Sequence, residues 1–158
     1  MERKRILIDL DVVTVALWDK RDERRNVALN FIERINNKEF EVITLSSTLN
    51  LVDKWRHLTL GNSIKQFYIE NTSHFIDEIE ILEYLQRHKI SSNQIIDEIL
   101  SYNIKREDVM LILACISTKV KFLVTLNRKH LKGKVKEINK VINNYKLPDI
   151  NIVYPNEI

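Results

Sequence analysis

Four carboxylates and one amide stand where a chain of alternating strands and helices would present them to solvent. Asp9 and Asp11 follow the apolar run Ile6-Leu7-Ile8, and Asp53 lies in a helical stretch after Glu41-Val42-Ile43-Thr44-Leu45. Asp108 opens an apolar helical segment, and Asn127 follows Phe122-Leu123-Val124-Thr125. In open parallel sheets, ligands gather beyond the carboxyl ends of the strands, so these are the positions to inspect. Hard divalent cations such as Mg2+ or Mn2+ take oxygen ligands, and one or two carboxylates with several waters hold them. A cation held this way can bring a phosphodiester and a water together, offset transition-state charge and lower the water's pKa.

Each acid also has a plainer explanation. Asp108 suits a helix first turn, where the macrodipole favours negative charge, and Asp53 suits a solvated helical face. Asp11 suits a cap for the segment that starts at Val12. Asp9 interrupts an apolar strand where the chain turns, and an acid there is either a site residue or the partner of a buried base.

The elements that must position these residues come next. The chain has 158 residues, 44% apolar and 30% charged, which suits one globular domain spanning residues 1–158 with a single core. No stretch approaches the ~18 apolar residues of a membrane span, and Met1-Glu2-Arg3-Lys4-Arg5 runs into a strand-like segment without a small-residue cleavage site. A cytoplasmic location with no membrane association is the expectation. Cys115 is the only cysteine, so an intramolecular disulfide and a thiolate zinc cluster are excluded, and its apolar helical setting suits a buried inert thiol. A formal charge of +3 permits nucleic acid as a partner, with modest basic clusters at Arg3–Arg5, Arg21–Arg25 and Arg128–Lys136.

Two glycines and two prolines occur, and both prolines lie near the end, so helices should dominate the first 147 positions. Strands are expected at Arg5–Leu10, Glu41–Leu45, Phe122–Thr125 and Asn151–Tyr154. Between them, helices run from Val12, from about Asp22 with Asp19 or Asp22 as cap, from Ser46 or Ser47 to Arg56, and from about Lys134 to Tyr145. Gly61 should close the third of these or the loop behind it. Residues 62–104 read as two or three further helices, with Ser91-x-x-Gln94 resembling a capping box. Within that stretch Ile76–Leu82 mixes helical and alternating patterns. Strands alternating with helices imply a mostly parallel sheet of about four to five strands with helices on both faces.

Taken in order, these pieces resemble the PIN-domain family, which includes the toxin ribonucleases of toxin-antitoxin pairs. The matching pieces are Ile6-Leu7-Ile8-Asp9, Ser46-Ser47 opening a helix with Asp53, Arg106-Glu107-Asp108 before Leu111-x-Leu113-Ala114, Leu123 to Leu131, and Ile152-Val153-Tyr154-Pro155-Asn156-Glu157. The resemblance implies a three-layer α/β sandwich with a helical insert at about 62–104, and RNA cleavage with Mg2+ or Mn2+. It implies Asp9 as first metal ligand, Asp108 as the central acid and metal ligand, and Thr125 as a hydroxyl near the metal. The second acid falls on Asp53 when counted from Ser47, and on Val52 when counted from Ser46. The fourth acid is replaced by Asn127, which removes a negative charge. His130 lies where some members carry a further acid, and a turn histidine explains it equally well.

The reading is a metal-dependent endoribonuclease acting on single-stranded RNA, toxin-like and with an antitoxin protein as partner. The alternative is a catalytically weakened PIN-like RNA-binding or protein-interaction module lacking a full acidic set. Its basic rim would be Arg128, Lys129, Lys132, Lys134 and Lys136. Ile76, Ile79, Leu82, Leu85, Ile95, Ile96 and Ile99 offer either a homodimer surface or an intrachain core.

Overall fold

The computed structural model describes residues 2–158. Five strands, β1 (Lys4–Ile8), β2 (Phe40–Leu45), β3 (Thr72–Ile76), β4 (Phe122–Val124) and β5 (Asn151–Val153), form one sheet in the order β3-β2-β1-β4-β5. Every neighbouring pair is parallel, with Ile6 opposite Val42 on one side of β1 and Phe122 on the other. The helices are α1 (Leu10–Leu17), α2 (Arg25–Asn36), α3 (Ser46–Asp53), α4 (Leu58–Asn71), α5 (Glu78–Arg87), α6 (Ser92–Leu100), α7 (Arg106–Ser117) and α8 (Val135–Asn144). Short 3-10 turns occupy Lys132–Lys134 and Pro155–Glu157.

Period-two side-chain alternation divides the core into two layers. Leu7, Ile43, Leu45, Leu123 and Ile152 face one way and pack with α5, α6, α7 and α8. Ile6, Ile8, Val42 and Val124 face the other way and pack with α1, α2 and α4. The β1 run Ile6-Leu7-Ile8 is buried on both faces because its neighbouring residues point into different layers. The three-layer α/β architecture agrees with a PIN-like fold.

Several expectations need correction. The stretch 62–104 is not purely helical, because β3 lies within it as an edge strand. The sequence Thr72-Ser73-His74-Phe75-Ile76 hides that strand, since most of its residues are partly or fully exposed and it follows α4 with no loop. Its pairing to β2 slips between Val42 and Ile43, and the Thr44 and Thr72 hydroxyls meet at 2.6 Å. Gly61 ends nothing: it is buried within α4, and the start of that helix is set by His57, whose Nδ1 accepts the Leu60 N–H at 3.1 Å. The helix expected from Asp22 begins at Arg25, while Asp22 accepts the Arg24 N–H at 2.8 Å in the turn before it. Ser91 does accept from the Gln94 N–H, as a cap of α6.

Of the seven apolar residues weighed as a dimer surface, Ile76, Leu85, Ile95, Ile96 and Ile99 are buried in the intrachain core, leaving Ile79 and Leu82 exposed. Cys115 is fully buried in α7 and burial pushes its thiol pKa up. Among the described residues, no helix is long and apolar enough to cross a membrane.

Candidate functional site

The loop after β4 is tied to the end of β1. Asp9 donates its N–H to the carbonyl of Val124, the last residue of β4, at 2.8 Å, extending the ladder one residue past β1. Asp9 holds the N-cap position of α1, but its carboxylate turns aside to accept from the Thr125 hydroxyl at 2.8 Å. Thr125 is fully buried, and its oxygen accepts the Asn127 N–H at 2.9 Å. Asp11 lies in the first turn of α1, where its carboxylate accepts the Leu126 N–H at 3.2 Å rather than capping the helix. The expected cap role for Asp11 is therefore replaced by a tertiary one.

Asp108 faces this arrangement across a cavity of about 350 Å³ that Asp9 also lines. It is the third residue of α7 and 8% exposed, because the helix is otherwise apolar from Val109 to Ile116 and lies flat on the sheet. From α3 come Ser47, Asn50, Leu51 and Lys54, and Arg106 and Glu107 flank Asp108.

The electrostatics are those of acids crowded together with no base in direct contact. Burial raises the pKa of Asp9, against the pull of the Thr125 hydroxyl. Asp11 is raised to about 7 by burial and then by the charge of Asp9. Asp108 is raised to about 6 by burial, then by Asp9 and Glu107. Among the described residues none of the three forms a salt bridge. Arg24 reaches Asp11 only at long range, since its guanidinium is engaged by Asp22 at 2.6 and 2.9 Å and by the Leu126 carbonyl at 3.2 Å.

The structure thus places Asp9, Thr125 and Asp108 around one region and sets the other sequence candidates apart. Asp53 is exposed and pairs with Lys65 of α4, and it does not line the cavity. Along α3 and its C-cap, Ser47, Thr48, Asn50, Leu51 and Lys54 line the cavity, and Asp53 falls outside it. Asn50 is the polar residue that a helical wheel drawn from Ser47 would have found. Asn127 uses its side-chain oxygen on the His130 N–H at 3.0 Å, closing its own turn. His130 Nδ1 lies 3.1 Å from the Asn103 carbonyl, a loop contact. None of Arg128, Lys129, Lys132, Lys134 and Lys136 lines the cavity, and Lys132 is paired with Glu157.

Tyr68 of α4 carries no advance signal in the sequence. It is 1% exposed in the same layer as Ile8 and Val12, and its hydroxyl has no hydrogen-bond partner among the described residues. Burial, followed by the charges of Asp9 and Asp11, raises its pKa well above the ordinary value.

Among the described residues, no group of three or more His, Cys, Asp or Glu is arranged to hold a metal ion. The set that is present, a half-buried and a buried carboxylate beside an open cavity with amide and hydroxyl oxygens, fits a cation that keeps several waters and is content with one or two protein carboxylates. It lacks the nitrogen and sulfur ligands that zinc prefers.

No protein-family model and no curated protein matches this sequence. Among solved structures, a chain of VapBC2 from Rickettsia felis, determined bound to a DNA fragment from its promoter, matches with a TM-score of 0.52. Identity is 14%, and the match covers 95% of this chain and 98% of that one, so the likeness is one of fold along nearly the whole length.

Proposed function

We propose that this chain is a metal-dependent endoribonuclease of the PIN type, with Asp9 and Asp108 as the carboxylates that hold Mg2+ or Mn2+. The observation that carries this reading is the meeting of the half-buried Asp9 and the buried Asp108 at one cavity, neither of them in a salt bridge among the described residues. Unpaired buried charge is costly, and such a pair persists where a proton or a cation neutralises it. A bound divalent ion would supply charge neutralisation at the scissile phosphate and a more acidic water.

The chain's own residues have separate tasks. The Thr125 hydroxyl fixes the rotamer of Asp9 by donating to it, and is held in turn by the Asn127 N–H. Asp11 anchors the Leu126 backbone, so the loop that carries Thr125 cannot drift from β1. Asn50 and Ser47 offer neutral oxygens on the facing wall, while Lys54 and Arg106 provide positive charge at the same cavity for a phosphate backbone. A protein partner, an antitoxin in the toxin-like version, is consistent with the fold neighbour having been solved as the VapBC2 complex.

A second reading has its own observation. Asn50 stands on the cavity wall, Asn127 is turned into its own loop, and Asp53 lies elsewhere, so the acidic set is short. A PIN-like binding module with weakened chemistry follows from that. Calorimetry with Mn2+ on the parent and on Asp108→Asn separates the two, alongside cleavage of single-stranded RNA. The nuclease reading expects binding and cleavage by the parent and loss of both in Asp9→Asn and Asp108→Asn. Equal cleavage by parent and both variants would end it.

A further inference from the structure

A second groove, of about 700 Å³, lies outside the acid cavity and is lined by Leu17, Trp18, Lys20, Arg21, His57 and Leu60, among others. Trp18 is 50% exposed, unusual for the largest apolar side chain in the molecule's repertoire. Its ring centroid lies 4.2 Å from that of His57, with the planes at 65°, so one ring meets the other edge-on while half of the Trp18 surface stays exposed. His57 is fixed by its cap bond to Leu60, which makes the pair a formed platform and not a loose side chain. Lys20 and Arg21 stand beside it, and neither forms a salt bridge among the described residues.

Two segments connect this groove to the acids. Asp9 and Leu10 at the start of α1 line the acid cavity, and Leu17 and Trp18 at its end line the groove. The eight residues of α1 cover roughly 12 Å, a distance of a few nucleotides along a strand. On the opposite wall Lys54 lines the cavity and His57, three residues later, lines the groove.

An open aromatic face beside free cations is how proteins hold single-stranded nucleic acid without reading sequence, by stacking a base and neutralising adjacent phosphates. A protein partner is the competing occupant, since tryptophan and arginine are also enriched at protein interfaces, and the two adjacent cations favour a polyanion. We propose that the Trp18–His57 groove is a base-stacking subsite for single-stranded RNA, a few nucleotides from the acid cavity, with Lys20 and Arg21 on the neighbouring phosphates. The inference rests on the nuclease reading for its choice of RNA, and not for the groove's capacity to stack a base.

The test is fluorescence anisotropy of labelled oligouridylate and oligoadenylate in chelator, across a salt series. The parent should bind, Trp18→Ala should weaken binding on the order of 10-fold, and Trp18→Phe should retain most of the affinity. Lys20→Gln and Arg21→Gln should each lower the slope of log affinity against log salt by about one. Affinity of Trp18→Ala within about twofold of the parent overturns the subsite. So does a dimer that Trp18→Ala converts to monomer with RNA affinity unchanged, since a second copy then occupies the groove. Chelator separates this result from the nuclease reading: RNA held through Trp18 by a protein that neither binds Mn2+ nor cleaves leaves the subsite standing and ends the nuclease. Metal-dependent cleavage that Trp18→Ala leaves untouched does the reverse.

Discussion

At the amino ends of β1 and β4, Arg3, Lys4, Arg5, Lys119 and Lys121 gather around Phe122. At the carboxyl ends of the same strands, Asp9 meets Asp108 from α7 at one cavity and Asp11 stands beside Asp9. The cations have outlets: Arg5 donates to the Thr118 carbonyl at 3.0 Å and lies 3.5 Å from Glu41, and Lys4 sits 5.0 Å above the Phe122 ring. Asp108 is buried, Asp9 and Asp11 are half-buried, and Asp9 repels both of the others. Helix polarity accounts for part of the division, since in a parallel sheet with crossover helices the N-termini sit at the carboxyl end and favour acids. It does not account for burying them. Charge on the amino side is arranged as stability asks, whereas charge on the carboxyl side is crowded, which is what the proposed metal site would require of that end.

The largest effect that would sharpen the contrast concerns Asp108 and Asp53, two aspartates on different helices. Asp108→Asn, with Asp9→Asn beside it, should weaken Mn2+ binding on the order of 100-fold or more, read by calorimetry. Asp53→Asn should leave Mn2+ binding unchanged, because its carboxylate serves Lys65 at the surface, a pair worth less than about 1 kcal/mol. Loss of metal binding in Asp53→Asn would break the contrast and return Asp53 to the site.

Next in size is the pH dependence of the metal-free fold. Asp11 and Asp108 have folded-state pKa values of about 7 and about 6, above the 3.8 of an unfolded aspartate. The folded state therefore holds protons that the unfolded state releases, and stability present near pH 4 is lost as pH rises through 6 and 7. Thermal melts in chelator should show Tm falling over that window, and Asp11→Asn should flatten the fall. Asp22, half-buried and lowered to about 2 by Arg24, has the opposite sign and acts only at lower pH. A Tm that rises from pH 5 to pH 8 in chelator would mean that these acids are ionised without cost.

Much of this division was legible in the residues and some was not, for separable reasons. β1, β2 and β4 announce themselves because both faces are buried, which forces continuous apolar runs such as Ile6-Leu7-Ile8. The edge strand β3 is buried at Ile76 and elsewhere only partly so, and no pattern of hydrophobicity marks it. Asp9 and Asp108 could be named because strand ends and helix starts face the same edge of a parallel sheet. The count from Ser46 or Ser47 offers Val52 or Asp53 and passes over Asn50, because a count along the chain does not fix which face of the helix meets the cavity. Asp11 and Tyr68 depend on contacts across 115 and about 60 residues of chain, and no local spacing encodes those.

The smallest effect tests how the amino end is built. Helix-stopping turns at Lys38, Lys119 and Lys146 lead into strands at that end, and each of these lysines has a positive φ, between 58° and 60°. Glycine is the usual residue for this conformation, and a side chain there costs roughly 1 kcal/mol or more. Lysine has an offsetting benefit, because a cation at a helix C-terminus gains about 0.3 to 1 kcal/mol from the exposed carbonyls. Lys119→Gly should therefore be close to neutral, giving up the attraction while relieving the strain. Lys119→Ala keeps the strain and gives up the attraction, so it should lose roughly half a kcal/mol. Salt distinguishes this cause from any other, since about 1 M salt screens the helix-end interaction and should erase the alanine deficit. A deficit that survives in high salt would mean that the Lys119 side chain stabilises the turn by packing, and that the cations of the amino end are incidental to its folding.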